Sequence, residues 1–286
     1  MIQDIYPSKL NNEFTDYDIK EGDALMIFDN EGRIYVGKDE VTPIFPTYKS
    51  NKSENNNHNK CSKKDKQFVY LFSLDEKKYF LDLDFEENNF DKNQEGFSYY
   101  TIREARDTFS GKEVFAIFTA YHLWRWYSDN RYCGKCSEEL IHDDKERALR
   151  CTKCGNMIFP RINPAVIIGV TNGDSILITR YRRGYAHNAL VAGFTEIGET
   201  LEETVAREVM EEAGIKVKNI RYYKSQPWGM AQDLLAGFYC EVDGDSHIHM
   251  DENELKYAQW VKKEDIVLQP NNLSLTNEMM RKFKES

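Results

Sequence analysis

The most regular pattern of apolar and polar positions lies beyond residue 160. Residues 165–170 and 175–179 predict two strands of a hairpin, because the Asn172-Gly173 pair between them favours a tight turn. Further runs predict three more strands and a C-terminal helix, at 220–223, 234–242, 258–261 and from about Thr276. This mixture of strands and helices indicates an α+β fold.

The first half of the chain has a different pattern. Short apolar runs at 24–28 and 68–72, each bounded by turn-forming polar residues, predict a β-rich N-terminal domain over residues 1–128. Apolar residues recur at helical spacing in 111–127, which predicts a linking helix at the end of that domain. Residues 50–66 are rich in Asn, Lys and Ser, which predicts a disordered surface insertion. They lack the interleaved aromatic residues of a nucleic-acid-binding tract.

Charge limits the classes of partner. The 286 residues include 48 acidic and 38 basic side chains, a net charge of −10. This charge argues against a general grip on nucleic-acid backbone but leaves open a small anionic ligand held through a metal ion. The N-terminus lacks the pattern of a signal peptide, and no apolar run approaches the roughly 20 residues of a membrane helix. The sequence therefore predicts a cytoplasmic protein without a membrane partner.

Four of the six cysteines form two Cys-x-x-Cys pairs, Cys133 with Cys136 and Cys151 with Cys154, separated by 14 residues. In a reducing compartment this spacing favours metal binding over disulfides, and four thiolates suit tetrahedral zinc. With no open position left for water, the ion is expected to be structural, in a zinc ribbon over residues 129–159. A redox dithiol is the alternative. The remaining cysteines are expected to be free thiols: Cys61 and Cys240.

Residues 193–215 begin as a loop and continue as a helix. Thr200 and Glu203 have the spacing of a capping box, and Gly214 is placed to end the helix in a left-handed conformation. Apolar residues recur every four positions and predict the buried stripe of this helix: Leu201, Val205, Val209 and Ala213.

Three carboxylates share one edge of the predicted helix. Glu208 and Glu212 lie four residues apart, with Glu211 beside them. Like charges at this spacing destabilise a helix, and a bound divalent cation resolves the conflict. Carboxylate oxygens suit Mg²⁺ or Mn²⁺, which neutralise phosphate oxygens during hydrolysis. The alternative is a solvated acidic face.

The whole pattern Gly-x5-Glu-x7-Arg-Glu-apolar-x-Glu-Glu-x-Gly-apolar is identified as the box of the Nudix hydrolases. The resemblance implies an α/β/α sandwich over residues 160–286. It makes Glu208 and Glu212 metal ligands, and it implies that a helix carboxylate, Glu208 or Glu211, helps to deprotonate the attacking water. Arg207 would pair with Glu199 and brace the loop.

The cysteine pairs and Ser225-Gln-Pro-Trp228 narrow the resemblance to the NADH pyrophosphatase branch, over roughly residues 112–280. That branch usually continues Pro-Phe-Pro-x-Ser, whereas this chain departs from the pattern after Trp228. The departure leaves the nicotinamide preference open. The resemblance implies that these residues bind substrate: Gln226, Pro227, Trp228, Gly229, Met230, Ala231, Gln232 and Asp233.

The same resemblance implies further site residues. The Ala192 carbonyl and Glu254 would complete the metal shell, and Phe194 would stack on the nicotinamide. Phe159 stands where the branch usually has tyrosine. The alternatives are core aromatics for Phe159 and Phe194, a surface carboxylate for Glu254 and simple packing for Trp228. A loop before the box is expected to face solvent, at Arg182, Tyr185 and His187.

The expected reaction is hydrolysis of the NAD(H) pyrophosphate to NMN(H) and AMP with Mg²⁺ or Mn²⁺. The 5′ end of NAD-capped RNA is a second expected substrate beside the free dinucleotide. Homodimerisation is expected by resemblance. One alternative is another dinucleoside or nucleotide-sugar pyrophosphatase, and the other is a non-catalytic regulator that senses a ligand. The intact box carboxylates argue against the regulator.

Overall fold

A computed structural model describes residues 1–49, 67–83, 95–182 and 187–286. They divide into two compact units, each described by itself below. The N-terminal unit is Ile5–Arg161 with Gly229–Ala231, and the C-terminal unit is Met1–Asp4, Ile162–Trp228 and Gln232–Ser286. The predicted insertion at 50–66 with Cys61, and Tyr185, lie outside the described residues. The three-part division predicted from the sequence stays a prediction.

The N-terminal unit is rich in β-structure, as predicted. Two small sheets have the strand orders β1-β5-β6-β2 and β4-β3-β7. The strands are β1 Leu10–Asn11, β2 Ala24–Met26, β3 Ile34–Asp39, β4 Thr42–Ile44, β5 Phe68–Leu74, β6 Lys77–Asp82 and β7 Phe97–Tyr100.

Two helices follow these strands. The sequence analysis missed the first, α1 (Ile102–Thr108), which is too short to show a clear apolar period. The second, α2 (Lys112–Asp129), confirms the predicted helix and extends two residues beyond it. None of the helices in the described ranges is long and apolar enough to cross a membrane.

A small antiparallel sheet completes the N-terminal unit. Its strand order is β10-β9-β8, where β8 is Leu140–His142, β9 is Leu149–Cys151 and β10 is Met157–Ile158. The hairpin of β8 and β9 pairs Leu140 with Cys151, so it folds the second cysteine pair back toward the first.

The C-terminal unit is built on a mixed six-stranded sheet. Its strand order is β14-β15-β11-β12-β16, and β13 also pairs with β11. Strands β11 and β15 are parallel, and the other pairs are antiparallel. The elements are β11 Asn163–Asn172, β12 Ser175–Tyr181, β13 Val191–Phe194, α3 Leu201–Ala213, β14 Val217–Trp228, β15 Asp233–Val242, β16 Leu255–Lys262 and α4 Leu275–Lys284, with a 3-10 turn at Lys263–Asp265.

Alternate residues of β11 divide the core into two layers. Val166 and Ile168 pack with Val205 and Val209 of α3 on one face of the sheet. Ile167 of the same strand belongs to a second cluster on the other face, with Leu275, Met279 and Met280 of α4. This separation follows from the two-residue period of a strand. The unit is therefore the predicted α/β/α sandwich.

Local signals define both ends of α3. The Thr200 side chain accepts from the Glu203 amide at 3.2 Å, and the Glu203 carboxylate accepts from the Thr200 amide at 2.8 Å, so the predicted capping box is confirmed. Gly214 ends the helix at φ +68°, the left-handed conformation that glycine adopts at least cost. These caps fix where the helix begins and ends, and therefore which positions its carboxylates occupy.

Thr200→Ala is expected to lower the free energy of unfolding by about 1 kcal/mol, because it leaves the Glu203 amide without its side-chain acceptor. Urea denaturation of the purified protein measures this. Thr200→Ser keeps the hydroxyl and is the matched control. Equal losses in the two variants would contradict a capping role.

Candidate active site

The three box carboxylates differ in exposure. Glu212 is 2% exposed as a residue, and the Glu208 side chain is 12% exposed. The Glu211 side chain, by contrast, is 60% exposed. Glu208 and Glu212 thus form the inner pair of the acidic edge, and Glu211 faces solvent.

Arg207 connects the loop to the helix. Its Nε lies 2.6 Å from Glu199 Oε1, which confirms the expected pair, and its Nη1 lies 2.7 Å from Glu208 Oε1 and 3.0 Å from Glu211 Oε2. Its Nη2 donates to the Phe194 carbonyl at 2.9 Å. The hydrogen bond from Arg207 is the largest of the effects that lower the pKa of Glu199 to about 2. The loop carboxylate is therefore held ionised against the helix.

Gly193 makes room for Glu208. A Cβ at this position would lie 2.0 Å from both the carboxyl carbon and Oε1 of Glu208, much closer than atoms can approach. Strand β13 is fixed by its pairing with β11, in which Gly193 faces Val166. The first glycine of the box is therefore required by space, and it forms a cradle for the Glu208 carboxylate.

Burial raises the pKa of Glu212 to about 8, and the charges of Glu208 and Glu254 add to the shift, while the Tyr181 hydroxyl opposes it. Burial also raises the pKa of Glu208, and Arg207 counteracts this. Because both pKa values are raised, a bound cation would stabilise the ionised form of the two inner carboxylates near neutral pH. The oxygen donors and the cradle at Gly193 together fit a hard divalent cation.

Two further predicted ligands come from other elements. Glu254 precedes β16, is exposed, and is close enough to raise the pKa of both inner carboxylates. The Ala192 carbonyl, in β13, lies 3.4 Å from the Tyr181 hydroxyl, which itself contacts Glu212. Among groups of three or more His, Cys, Asp or Glu within the described residues, only the four cysteines have ligand atoms all within 4.8 Å of one another. The carboxylates thus form a looser group than the cysteines.

Tyr181 was not among the site residues predicted from the sequence. Its hydroxyl lies 3.0 Å from Glu212 Oε1, 3.1 Å from Glu212 Oε2 and 3.1 Å from the Ala192 amide nitrogen. The only signal in the sequence was its position at the end of the strand before the box. Arg182 and His187, further along the chain, are exposed as expected.

The two aromatic residues predicted to contact substrate are not core residues. Phe194, in the C-terminal unit, is 53% exposed, and Phe159, in the N-terminal unit, is 52% exposed. Large apolar side chains that remain this open are available to a ligand or a partner. Packing in the core, the alternative considered for both rings, does not describe them.

Gln226 has a structural task. It is fully buried, and its Nε2 donates to Gln3 Oε1 at 3.0 Å and to the Leu273 carbonyl at 2.8 Å, while its Oε1 accepts from the Leu275 amide at 2.7 Å. These three bonds engage both ends of the side-chain amide and hold the start of α4. The substrate-binding role predicted for Gln226 stays a prediction, and its side chain serves the fold.

The residues after Trp228 differ in their surroundings. Gly229 is buried, and a Cβ there would lie 2.0 Å from the Phe118 carbonyl oxygen of α2. Asp233 is 6% exposed, its Oδ1 has no hydrogen-bond partner, and burial raises its pKa to about 7. The remaining residues of the predicted segment are Pro227 and Ala231, which are exposed, Trp228 and Met230, which are part-buried, and Gln232, which is buried.

The four paired cysteines converge. Cys133 Sγ lies 3.6 Å from Cys154 Sγ, and Cys136 Sγ lies 3.4 Å from Cys151 Sγ. Backbone hydrogen bonding, chiefly from Lys135, lowers the pKa of Cys133 to about 6, which favours the thiolate. An all-sulfur donor set in one cluster fits a structural zinc. Cys240 is buried in the sheet core of the C-terminal unit, where burial raises its pKa to about 12, so it is an inert free thiol.

A comparison with known protein families finds a similarity that agrees with the box and the fold of the C-terminal unit. The NUDIX domain family model matches residues 161–283. The match covers less than half of the chain, and it includes the box at residues 193–215.

Two similar proteins are named "NAD-capped RNA hydrolase NudC", from Escherichia coli O1:K1 / APEC and from Escherichia coli strain SMS-3-5. Each is 44% identical over 151 residues, which are 52% of this chain and 58% of that protein. The chain thus spans somewhat more than half the length of these curated relatives. A NUDIX hydrolase structure from Nitrosomonas europaea is 20% identical with a TM-score of 0.48, covering 54% of this chain and 90% of that one.

Cys151→Ser is expected to reduce bound zinc from about one ion per chain to well below half, because it removes one of four thiolates. Elemental analysis of protein purified without chelators measures this, and the melting temperature should fall with the metal. Cys240→Ala removes a buried thiol outside the cluster and is the control. Full zinc content in the Cys151 variant would exclude four-sulfur coordination.

Without added Mg²⁺ or Mn²⁺, stability is expected to fall as the pH rises from about 5 to 8. Because the pKa of Glu212 is raised, the folded protein holds a proton that the unfolded chain releases at lower pH. The stabilisation that this proton gives to the folded state is lost as the pH approaches 8. The slope for one proton is at most about 1.4 kcal/mol per pH unit. Urea denaturation across this range should give a smaller slope for Glu212→Gln than for the wild type. Equal slopes would show that Glu212 does not titrate there.

Proposed function

We propose that this protein hydrolyses the pyrophosphate bond of NAD(H) and releases NMN(H) and AMP. The observation that carries the proposal is the inner carboxylate pair, Glu208 and Glu212, held against the sheet in a Nudix box. The cysteine cluster and the similarity to proteins named NAD-capped RNA hydrolase support the choice of substrate within the family.

The proposed metal ligands are the carboxylates of Glu208, Glu212 and Glu254 and the carbonyl of Ala192. Their oxygen donors favour Mg²⁺ or Mn²⁺. When bound, such ions neutralise phosphate oxygens and lower the pKa of a coordinated water. The proposal assigns the cysteine cluster a purely structural zinc.

The proposed catalytic groups are Glu208, Glu211 and Glu212. An ionised carboxylate of Glu208 or Glu211 would accept the proton of the attacking water, and both contact Arg207. Arg207 holds each of them at a fixed position on the helix edge. Glu212, buried beside them, would help to hold the divalent cation that neutralises the diphosphate.

The proposed substrate contacts lie in two places. Phe194, half-exposed at the start of the box, offers a ring on which a nicotinamide can stack. The segment from Gln226 to Asp233 and the Phe159 side chain are the other proposed substrate contacts. Asp233 differs most from the usual branch pattern, because a buried carboxyl replaces a hydroxyl.

NAD-capped RNA is a second candidate substrate, since it is the substrate in the printed name of the similar proteins. The net charge of −10 argues against a long contact with RNA backbone, so recognition of the cap itself is favoured.

A homodimer is also proposed, by resemblance to the family. Light scattering on the eluted protein, with an expected mass of about twice the chain, tests it.

Glu208→Gln and Glu212→Gln are each expected to lower the turnover of NADH by about 100-fold or more while the protein stays folded, because each removes a charge that holds the metal. Product masses, NMNH and AMP, measure turnover with Mg²⁺ and with Mn²⁺. Glu202→Gln makes the same change at an exposed position of the same helix and is the matched control.

A panel of dinucleotides and nucleotide sugars, with NAD-capped RNA, decides among the alternatives. Faster turnover of a nucleotide sugar than of NADH would replace the proposed substrate. Ligand binding without turnover of any substrate by the wild type would indicate a sensing role. Full activity in both inner-carboxylate variants would contradict the mechanism.

A further inference from the structure

Tyr181 occupies the point where three elements of the site meet. It is the last residue of β12, and its hydroxyl contacts Glu212 of α3 at 3.0 Å and the Ala192 amide of β13 at 3.1 Å. The next residue, Arg182, donates its amide to the Glu254 carbonyl at 2.9 Å. The end of this strand therefore contacts three of the four residues proposed as oxygen ligands, Glu212, Ala192 and Glu254.

Hydrogen-bond chemistry fixes the direction of the Tyr181 contacts. The Ala192 amide can only donate, so it uses a lone pair of the phenol oxygen. The single phenol proton has two possible acceptors, and the Glu212 carboxylate, whose oxygens are 3.0 and 3.1 Å away, is charged and closer than the Ala192 carbonyl at 3.4 Å. The hydroxyl thus links the peptide of Ala192 to the carboxylate of Glu212.

A β-bulge directs this side chain. Arg180 pairs with Tyr257 and Tyr181 pairs with Leu255, so Lys256 is an extra residue in β16. Bulges rotate the side chains that flank them and occur beside active sites. The bulged residue, Lys256, is two positions after Glu254 in the chain.

A second tyrosine of the C-terminal unit has a hydroxyl contact that serves packing alone. Tyr239, in the same unit, donates to the Met279 carbonyl at 2.7 Å, a backbone partner with no proposed role in the site. The hydroxyl of Tyr181 instead bonds to a buried carboxylate.

We propose that Tyr181 is a positioning residue that holds the Glu212 carboxylate and the Ala192 peptide in the orientation required for binding a divalent metal. This inference rests on the proposed function, since it assumes that Glu212 is a ligand. Partners that orient metal ligands typically contribute 10- to 100-fold to metal affinity. Tyr181 would act through Glu212 and would not itself contact substrate.

Titration of the zinc-loaded protein with Mn²⁺, followed by the electron paramagnetic resonance of free Mn²⁺, tests the inference. Tyr181→Phe is expected to raise the Mn²⁺ dissociation constant by about 10-fold. Activity of this variant should recover at saturating Mn²⁺, because the ligands remain. Tyr239→Phe also removes one hydroxyl hydrogen bond in this unit, and its Mn²⁺ affinity should equal that of the wild type.

Circular dichroism establishes that each variant is folded. Should Tyr181→Phe fail to fold, Tyr181→His supplies a ring N–H donor and is expected to bind Mn²⁺ within about threefold of the wild type. Affinity in the Phe variant within twofold of the wild type would overturn the positioning role, as would a tenfold loss in the folded His variant.

A parallel titration of Glu212→Gln separates this inference from the proposed function. If Glu212→Gln weakens Mn²⁺ binding and Tyr181→Phe does not, only the role of Tyr181 fails. If Mn²⁺ binding is independent of Glu212, both the proposed metal site and the role of Tyr181 fail. Weakened binding in both variants, with an unchanged Tyr239 control, supports both.

Discussion

The guanidinium of Arg207 is the interaction on which the arrangement of the site depends. It lies between the carboxylates of Glu199, Glu208 and Glu211 and donates to the Phe194 carbonyl. Because its donors project from one rigid plane, a single side chain fixes the loop relative to the helix. Without it, the like charges would repel, and Glu208 would lose the partner that keeps it over Gly193.

The negative charge of Glu212 is compensated less than the charges of the carboxylates around Arg207. It is buried, it lies near the C-terminal end of α3, and Glu208 and Glu254 are close to it. Burial, the helix dipole at this end and the neighbouring charges all oppose its ionised form. The Tyr181 hydroxyl and the Ala192 amide favour that form. A sequence selected for stability alone would place an apolar residue there, so the carboxylate indicates function.

Features with local causes could be predicted from the sequence. The capping box at Thr200, the left-handed Gly214 and the hairpin at Asn172-Gly173 each depend on a few neighbouring residues, and the structure confirms all three. Tyr181 and Gln226 depend instead on partners that are 31 and 49 residues away along the chain. Periodicity and spacing carry no signal for such pairs. The acidic edge and its Arg207–Glu199 pair were therefore predictable from the box, whereas the contact of Tyr181 with Glu212 and the contacts of Gln226 with the start of α4 were not.

Gly229 shows why the departure from the family pattern cannot be treated as a neutral exchange. The branch usually has proline here, and proline carries a Cβ. In this chain a Cβ at 229 would lie 2.0 Å from the carbonyl oxygen of Phe118, so the backbone approaches α2 more closely than that side chain permits. Any larger residue at 229 would therefore require the backbone or α2 to shift. Asp233, four residues further on, is a buried carboxyl whose Oδ1 has no hydrogen-bond partner. Substrate preference in this segment therefore has to be argued from the residues that this chain has, Gly229 and Asp233, because the usual branch motif supplies neither of them.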